Sequence, residues 1–165
     1  GDRLIGVKLT QGSDEVLLTT RLGMSIRFAE TQLRNQGRTT RGVRGIAIGT
    51  DDFVVGVCVV DPGGALMTIT VNGYGKRTEF SEHRLQGRGG KGIIAIQTTD
   101  RNGHVVCAHP VHNEDALVMI TLGGQIIRMP VNDIRVIGRS TQGVRLISLR
   151  GDDCLVSATI VQPEE

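Results

Sequence analysis

Residues 16–20 read Val-Leu-Leu-Thr-Thr, and the same pattern recurs at 66–70 as Leu-Met-Thr-Ile-Thr and at 117–121 as Leu-Val-Met-Ile-Thr. The copies lie 50 and 51 residues apart. Each is a run of apolar and β-branched residues that is typical of a short strand. A fixed period of this length indicates a chain built from structural repeats.

The segment that opens each repeat occurs four times. Leu-Ile-Gly-Val-Lys-Leu at 4–9 matches Val-Val-Gly-Val-Cys-Val at 54–59, and the pattern returns at 105–110 and 155–160. One period therefore relates all four copies. The repeat units are predicted at about 4–53, 54–104 and 105–154, with the opening strand of a fourth unit at 155–161.

Each unit is predicted to form four short strands. In the first unit the predicted strands are about 4–10, 16–20, 24–29 and 43–48. Leu22-Gly23 and Asn72-Gly73 suit tight hairpin turns, and no window shows a helical period with capping residues. The sequence therefore predicts an all-β, propeller-like fold of about three four-stranded blades and no long helices.

The composition limits the class of protein. Apolar residues make up 39% of the 165 residues but only four are aromatic, so the core must be aliphatic. Cys58, Cys107 and Cys154 are an odd number without a CxxC pair, which argues against a disulfide framework and favours the cytoplasm. No apolar run approaches the roughly 18 residues of a membrane span, and no signal-peptide pattern opens the sequence. We therefore expect no contact with a membrane.

The distribution of charge is more informative than the net charge of +2. Three basic loops precede the predicted fourth strands, at 34–45, 84–92 and 135–145, and hold ten of the nineteen cations without one acid. The cations are Arg34, Arg38, Arg41, Arg44, Arg84, Arg88, Lys91, Arg135, Arg139 and Arg145. Stacked blades would bring these loops to one rim, and a single-sign rim favours binding to a nucleic-acid backbone.

The basic heptapeptide Gln86-Gly87-Arg88-Gly89-Gly90-Lys91-Gly92 lies within the second basic loop. It fails the nucleotide-binding template G-x-x-x-x-G-K-[S/T], because Gly92 stands where that template has a hydroxyl. Glycines allow backbone N–H groups to approach phosphate closely. Because aromatic residues for base stacking are scarce, the pattern favours duplex over single-stranded nucleic acid. The predicted DNA contacts are the ten loop cations together with Gln86, Gly89, Gly90 and Gly92.

Other candidate chemistry is weaker. Cys107, His109 and His112 resemble a ligand set, but the other units lack equivalents, so we expect no metal and no cofactor. Tyr74, the one tyrosine, lies in an Asn-Gly-Tyr-Gly hairpin without an acid–base pair, which indicates a turn residue. No Ser/His/Asp or Cys/His arrangement can be placed from the sequence. The repeated arginines 27, 77 and 128 fit either a second DNA-contacting row or exposed strand positions.

Several motifs resemble the C-terminal domain of DNA gyrase A subunits, a β-pinwheel, over essentially the whole chain. The segments that carry the resemblance are Arg38–Ile46, Asn72–Thr78 and Ile137–Val144, together with the basic heptapeptide. The heptapeptide is similar to the family's Q-R-R-G-G-K-G box, with Gly87 in place of its second residue. The homologous domain of topoisomerase IV A subunits has a degenerate box, so the near-complete box favours gyrase.

The resemblance implies a non-catalytic domain of an ATP-dependent type II topoisomerase that binds double-stranded DNA and wraps it to support negative supercoiling. Its partners would be the gyrase B subunit together with the remainder of the gyrase A subunit, in the bacterial cytoplasm at the nucleoid. An alternative function class is a propeller-like platform whose basic rim binds an acidic protein. The equivalent terminal strands also predict self-association of the chain through its exposed ends.

Overall fold

The structure, a computed structural model, describes residues 3–163. This range contains only strands, three single 3-10 turns and connecting segments. The strands are β1 (Glu15–Thr20), β2 (Met24–Ala29), β3 (Val54–Val59), β4 (Ala65–Thr70), β5 (Tyr74–Glu79), β6 (Ile93–Ile94), β7 (Val105–Val111), β8 (Ala116–Thr121), β9 (Ile126–Pro130), β10 (Val144–Arg145) and β11 (Leu155–Val161). The 3-10 turns cover Glu30–Gln32, Phe80–Glu82 and Val131–Asp133. Among these residues no helix is long and apolar enough to cross a membrane. The predicted all-β class is confirmed.

Each sheet is built on an antiparallel hairpin. The hairpins are β1–β2, β4–β5 and β8–β9, and Gly23, Gly73 and Gly124 in their turns have φ of 84°, 78° and 83°. This left-handed backbone favours glycine. At Gly23 the requirement is also steric, because a Cβ there would lie 2.2 Å from the carbonyl oxygen of Ile96. The predicted tight turns at 22–23 and 72–73 are confirmed.

Strands from the following repeat extend each hairpin into a sheet. The first sheet has the order β3-β1-β2-β6 and the second has the order β10-β5-β4-β7. The third sheet has the order β11-β8-β9. The strand that opens a repeat thus pairs with the preceding hairpin, and the short strand after a basic loop pairs with the other side of that hairpin. Neighbouring repeats are interlocked by this exchange.

Two of the four strands predicted for the first unit are wrong. Residues 4–10 and 43–48 form no strand, and the side chains of 4–10 are exposed. The equivalents of 4–10 are β3, β7 and β11, each of which pairs with the hairpin of a preceding repeat. Among residues 3–163 no hairpin pairs with residues 4–10. The same absence leaves Val43 and Arg44 without the partner that β6 and β10 have.

The core is aliphatic, as predicted. Its largest cluster joins the second and third sheets through Met67 and Ile69 of β4 and Leu117 and Met119 of β8, all with no exposed surface. Smaller clusters lie around Leu17 and under the first hairpin. Burial of such side chains contributes about 1.5–3 kcal/mol each. The hairpins therefore form a rigid support for the loops that connect them.

The outer edge of β9 differs from the equivalent edges of β2 and β5. Strand β6 covers β2 and strand β10 covers β5, and Leu85 and Val136 add parallel bridges to Arg27 and Arg77. No strand among residues 3–163 covers β9, whose first residue Ile126 is 69% exposed. The third sheet consequently has three strands where the other two have four.

Candidate nucleic-acid interface

The second basic loop is docked on the end of the first. Gly89 N donates to Gly45 O at 2.7 Å, and Ala47 N donates to Gly90 O at 2.9 Å. Arg88 adds a side-chain bond from Nη1 to the carbonyl oxygen of Arg44. The basic heptapeptide is therefore held in one position against the first sheet.

The third basic loop is docked on residues 94–97, just after the second basic loop. Arg139 Nη1 donates to Ile94 O at 2.7 Å, which is the repeat equivalent of the bond from Arg88 to Arg44. Gln97 N donates to Thr141 O at 2.9 Å. The second basic loop thus contacts the first, and the third contacts the segment that follows the second.

The ten loop cations fall into four registers that repeat from loop to loop. The registers are Arg34, Arg84 and Arg135; Arg38, Arg88 and Arg139; Arg41, Lys91 and Gln142; and Arg44, Ile94 and Arg145. Eight of the cations are exposed, whereas Arg88 and Arg139 are half-buried. Within residues 3–163 none of the ten forms an ion pair with a carboxylate. These loops, named here the basic track, therefore carry uncompensated positive charge.

Several acidic side chains accept hydrogen bonds from backbone amides in turns outside the basic loops. Asp52 accepts a hydrogen bond from Leu22 N at 2.9 Å, and Asp153 accepts one from Gly123 N at 2.8 Å, so both fix hairpin turns. Asp115 is buried and accepts from His112 N at 2.7 Å. None of these three acids lies within a basic loop, although Asp153 lines a cleft beside Arg145.

Glycines in the basic loops serve packing. A Cβ at Gly92 would lie 2.2 Å from Ser25 O, and one at Gly143 would lie 2.7 Å from Gly75 O. Both have left-handed φ, as does the equivalent Gly42. The N–H of Gly89 is already bonded to Gly45, so this amide is not free for phosphate. The loop glycines hence let each loop lie flat on the preceding hairpin.

Lys76 is a functional candidate that sequence reasoning missed. It has no exposed surface, and its Nζ donates to Gly138 O at 2.8 Å, to Arg139 O and to Thr141 Oγ1 at 3.2 Å. Burial, and next the charge of Arg139, lower the pKa of Lys76 to about 8. Lys76 fixes the third basic loop from beneath. The sequence did carry a signal for its burial, because Lys76 stands where the other two units have the apolar residues Ile26 and Ile127.

The repeated arginines of the second hairpin strands connect neighbouring repeats. Arg27 pairs with Glu15 and donates to Phe80 O at 2.7 Å. Arg77 is 7% exposed and donates from Nε to Ile134 O at 2.7 Å. For these two residues the interpretation as exposed strand positions was wrong, because each binds carbonyls of the next repeat's 3-10 turn region. Arg128 is exposed, as one interpretation expected.

Tyr74 is the first residue of β5 and is 4% exposed. The guanidinium groups of Arg101 and Arg145 lie over its ring, with Cζ at 5.1 Å and 5.6 Å from the centroid. Arg101 lies outside the three basic loops and was not among the predicted contacts. Sequence alone offered no signal for it, since it is close to Tyr74 only in space.

The histidine and cysteine residues have structural roles in the described chain. His109 Nε2 donates to Ala158 O at 3.0 Å, and burial raises the pKa of the Cys107 thiol to about 12. His112 contacts Asp61 through Nε2 at 2.8 Å. In residues 3–163 no group of three or more acidic, His or Cys side chains could hold a metal ion.

Comparison with known proteins finds three consecutive matches along the chain. The family model described as DNA gyrase C-terminal domain, beta-propeller, matches residues 14–61, 65–111 and 115–162. The DNA gyrase A protein of Salmonella typhimurium is 47% identical over 156 residues, which is 94% of this chain. The DNA gyrase A protein of Staphylococcus epidermidis is 46% identical over 166 residues, or 99% of this chain. The chain spans 18% of the length of each.

Solved structures show the same fold. The topoisomerase IV C-terminal domain superposes with a TM-score of 0.89 at 22% identity, over 95% of this chain and 49% of that one. A DNA gyrase A C-terminal domain superposes with a TM-score of 0.82 at 26% identity, over 90% of this chain and 50% of that one. The predicted resemblance to gyrase A is confirmed. With three matched repeats and relatives at 46% and 47% identity, the chain belongs to the DNA gyrase A C-terminal domain family of type IIA topoisomerases.

Proposed function

We propose that this domain is a non-catalytic module that binds double-stranded DNA through its basic loops and bends it along them. The observation that carries the proposal is the series of three acid-free loops, of which the second is docked on the first and the third on residues 94–97, just after the second. Duplex DNA carries one negative charge per about 1.7 Å of its axis, so a continuous basic track matches it along several phosphates.

The chemistry of the basic track favours the DNA backbone over the bases. Guanidinium groups bind phosphate oxygens in pairs of parallel hydrogen bonds. Phosphate contacts carry no sequence information directly. Tyr74, the one tyrosine, is already covered by two arginines, so it offers no free ring for stacking a base. Binding should therefore tolerate any sequence.

Bending follows from the position of the loops on successive sheets. Sheets of a propeller-like fold are arranged around an axis, so contact with all three loops requires the duplex to follow that curvature. Bending a 20–30 base-pair site by 40–90° costs on the order of 1–6 kcal/mol. Eight exposed cations and two half-buried ones supply enough phosphate contacts to offset that cost.

In the whole protein, this bend would present DNA to the gyrase B subunit together with the rest of the gyrase A subunit, in support of negative supercoiling. Cleavage and ATP hydrolysis would belong to other parts of that assembly, and this domain would need no cofactor. A cytoplasmic location at the nucleoid follows from this role.

A salt titration tests the proposal. Binding of a fluorescently labelled, random-sequence duplex is measured by anisotropy at several salt concentrations. If five to ten cations reach phosphates, log K against log salt has a slope of about −4 to −9. A slope near zero, or preference for an acidic protein over duplex, would favour the protein-interaction platform and overturn the proposal.

A further inference from the structure

Two arginines share one acceptor at the hairpin end of the second sheet. Tyr74 Oη accepts a hydrogen bond from Arg145 Nη2 at 3.0 Å, and Arg101 Nε points to the same oxygen at 3.4 Å. The ring lies beneath both guanidinium groups. Hydrogen bonding from these arginines lowers the pKa of Tyr74. One side chain thus orients both cations.

The two guanidinium groups keep most of their donors free. Both arginines are exposed, and neither pairs with a carboxylate within residues 3–163. Each guanidinium has five N–H donors in a rigid fork, and Tyr74 uses only one or two of them. Like charges held this close repel each other, so the arrangement is stabilised by an anion between them.

This charge arrangement occurs only in the second of the three repeats described by residues 3–163. At the equivalent turns of the first and third, Asp52 and Asp153 bond to the hairpin amides of Leu22 and Gly123. The second repeat has Gly103 in this register. The amide of Asn72 bonds there to the backbone carbonyl of Asn102 instead of to an acid, and Arg101 lies over Tyr74.

The turn that carries Arg101 is fixed to the third basic loop. Asn102 has no exposed surface, and its Nδ2 donates to Gln97 O at 2.8 Å and to Gln142 O at 3.0 Å. Asn72 Nδ2 donates to Arg101 O at 3.2 Å. The arginine pair is therefore continuous with the basic track and rigidly placed at its end.

A cleft of about 300 Å³ opens beside the pair and is also lined by Ser148 and Asp153. Asp153 is the acid of this cleft, and its hydrogen bonds from backbone amides lower its pKa, so it remains charged. Its negative charge repels phosphate, so the attraction that an anion meets in the cleft comes from Arg101 and Arg145. A volume of this size can hold a phosphate group.

We propose that Arg101 and Arg145 form one clamp for a backbone phosphate of duplex DNA, with Tyr74 as the positioning residue. The clamp rests on the proposed function and extends it past the three loops to the hairpin end of the second sheet. Arginine forks bind phosphate bidentately, and the shared tyrosine sets the angle between the two forks.

The chain carries its own reporter of this site, because Tyr74 is its one tyrosine and it has no tryptophan. Tyrosine labelled with ¹³C at Cζ gives a single NMR resonance from Tyr74. Addition of a short random-sequence duplex should shift that resonance and saturate at the concentration at which anisotropy reports saturated binding. The shift should disappear at high salt together with binding.

Variants separate positioning from charge. Arg101→Ala should weaken duplex binding several-fold and reduce the salt slope by about 0.9. Tyr74→Phe keeps every charge but removes the acceptor that the two arginines share. It should therefore weaken duplex binding while reducing the salt slope by less than Arg101→Ala does. Lys8→Ala is the charge-matched control, since Lys8 lies in a separate cleft beside Asp61 and Asp115. It should bind duplex nearly as the unmodified chain does.

The outcomes distinguish the clamp from the proposed function. If duplex does not bind at all, the proposed function and the clamp both fail. If duplex binds with a steep salt slope while the Tyr74 resonance is unmoved and Arg101→Ala binds normally, the clamp is overturned and the proposed function stands. A shifted resonance with weakened Arg101→Ala and Tyr74→Phe binding supports both.

Discussion

Arg88 of the second basic loop donates a hydrogen bond to the carbonyl oxygen of Arg44 at the end of the first. Arg139 repeats this bond to Ile94 one unit later. A cation predicted to bind DNA is thus also the connection between neighbouring loops. Arg88 and Arg139 shape the basic track, whereas the exposed cations around them are free to contact phosphate.

The exposed cations of the second basic loop should carry phosphate contacts without supporting the fold. The double substitution Arg84→Ala and Lys91→Ala removes two exposed charges, so the salt slope should shrink by about 1.8. Affinity should fall equally for duplexes of different sequence. Anisotropy titrations measure both, and the thermal unfolding midpoint should not change.

The first loop offers a matched control, because Arg34 and Arg41 occupy the same registers. The second loop is docked on its neighbour, so its cations lose less conformational entropy on binding than those of the first loop. The second-loop pair should therefore cost more affinity. A larger loss from Arg34→Ala with Arg41→Ala would show that docking does not decide the strength of the contact.

Arg88 should matter for stability as well as for binding. Arg88→Ala leaves the Arg44 carbonyl without its donor, which should cost about 1–2 kcal/mol of unfolding free energy. Arg38→Ala removes the same charge from an exposed equivalent and should stay within about 0.5 kcal/mol of the unmodified chain. Urea unfolding compares the two. Equal unfolding free energies would mean that the inter-loop bond adds nothing to the fold.

Lys76 should make stability depend on pH. Its pKa falls from 10.5 to about 8 in the folded state, because burial disfavours the charge. Between these values the unfolded chain binds more protons than the folded chain, so the unfolding free energy rises with pH across this window. Lys76→Met lacks that rise. Urea unfolding at several pH values measures the difference between the two proteins.

The comparison with Lys76→Met removes the influence of other groups. Burial raises the pKa of Cys58 and Cys107 to about 12, so these thiols lower stability as the pH passes 9, in both proteins alike. Arg139 and Glu82 are the charges that act on Lys76, and both are kept. Parallel pH curves for the two proteins would contradict the assignment of Lys76.

The free chain should self-associate through the open edge of β9. In the two internal examples, Arg27 and Arg77 bind carbonyls at the 3-10 turn of the next repeat. By the same register, Arg128 would bind the carbonyl of Leu33 in a second copy, and Ile126 would pair with Val43. Sedimentation should show a concentration-dependent complex.

The variant Ile126→Lys should abolish that complex, because it places a charge in the strand pairing. Lys8→Ala serves as a control that alters charge away from β9. A clean monomer of the unmodified chain at high concentration would contradict the prediction. In that case the exposed edge is tolerated in solution.

The hairpins could be predicted from the sequence, whereas the exchange of strands between repeats could not. Alternating apolar residues and glycine turns define β1 with β2 and β4 with β5 locally. A period of 50 residues is equally consistent with Val54–Val59 pairing inside its own repeat or with the preceding hairpin. Which hairpin the strand pairs with depends on the surface area that each pairing buries. That area is set by the packed structure and cannot be read from the sequence. Hence the strand predicted at 4–10 was wrong.

The site was predictable where charge and register are visible in the sequence. The three basic loops follow from acid-free segments at one position of the repeat. Burial of Lys76 and the contact of Arg101 with Tyr74 depend on distances across the fold, which no local pattern reports. The arginines 27 and 77 share a register, but the carbonyls that they bind lie in the next repeat.

Energy transfer across a bound duplex tests the central claim most directly. A random-sequence duplex long enough to contact all three basic loops carries a donor dye at one end and an acceptor dye at the other. Anisotropy of the same sample reports binding. Transfer should rise in proportion to binding and fall with added salt, because contact with successive loops bends the duplex. Saturated binding with unchanged transfer would contradict bending, and no binding at all would contradict the DNA-binding role.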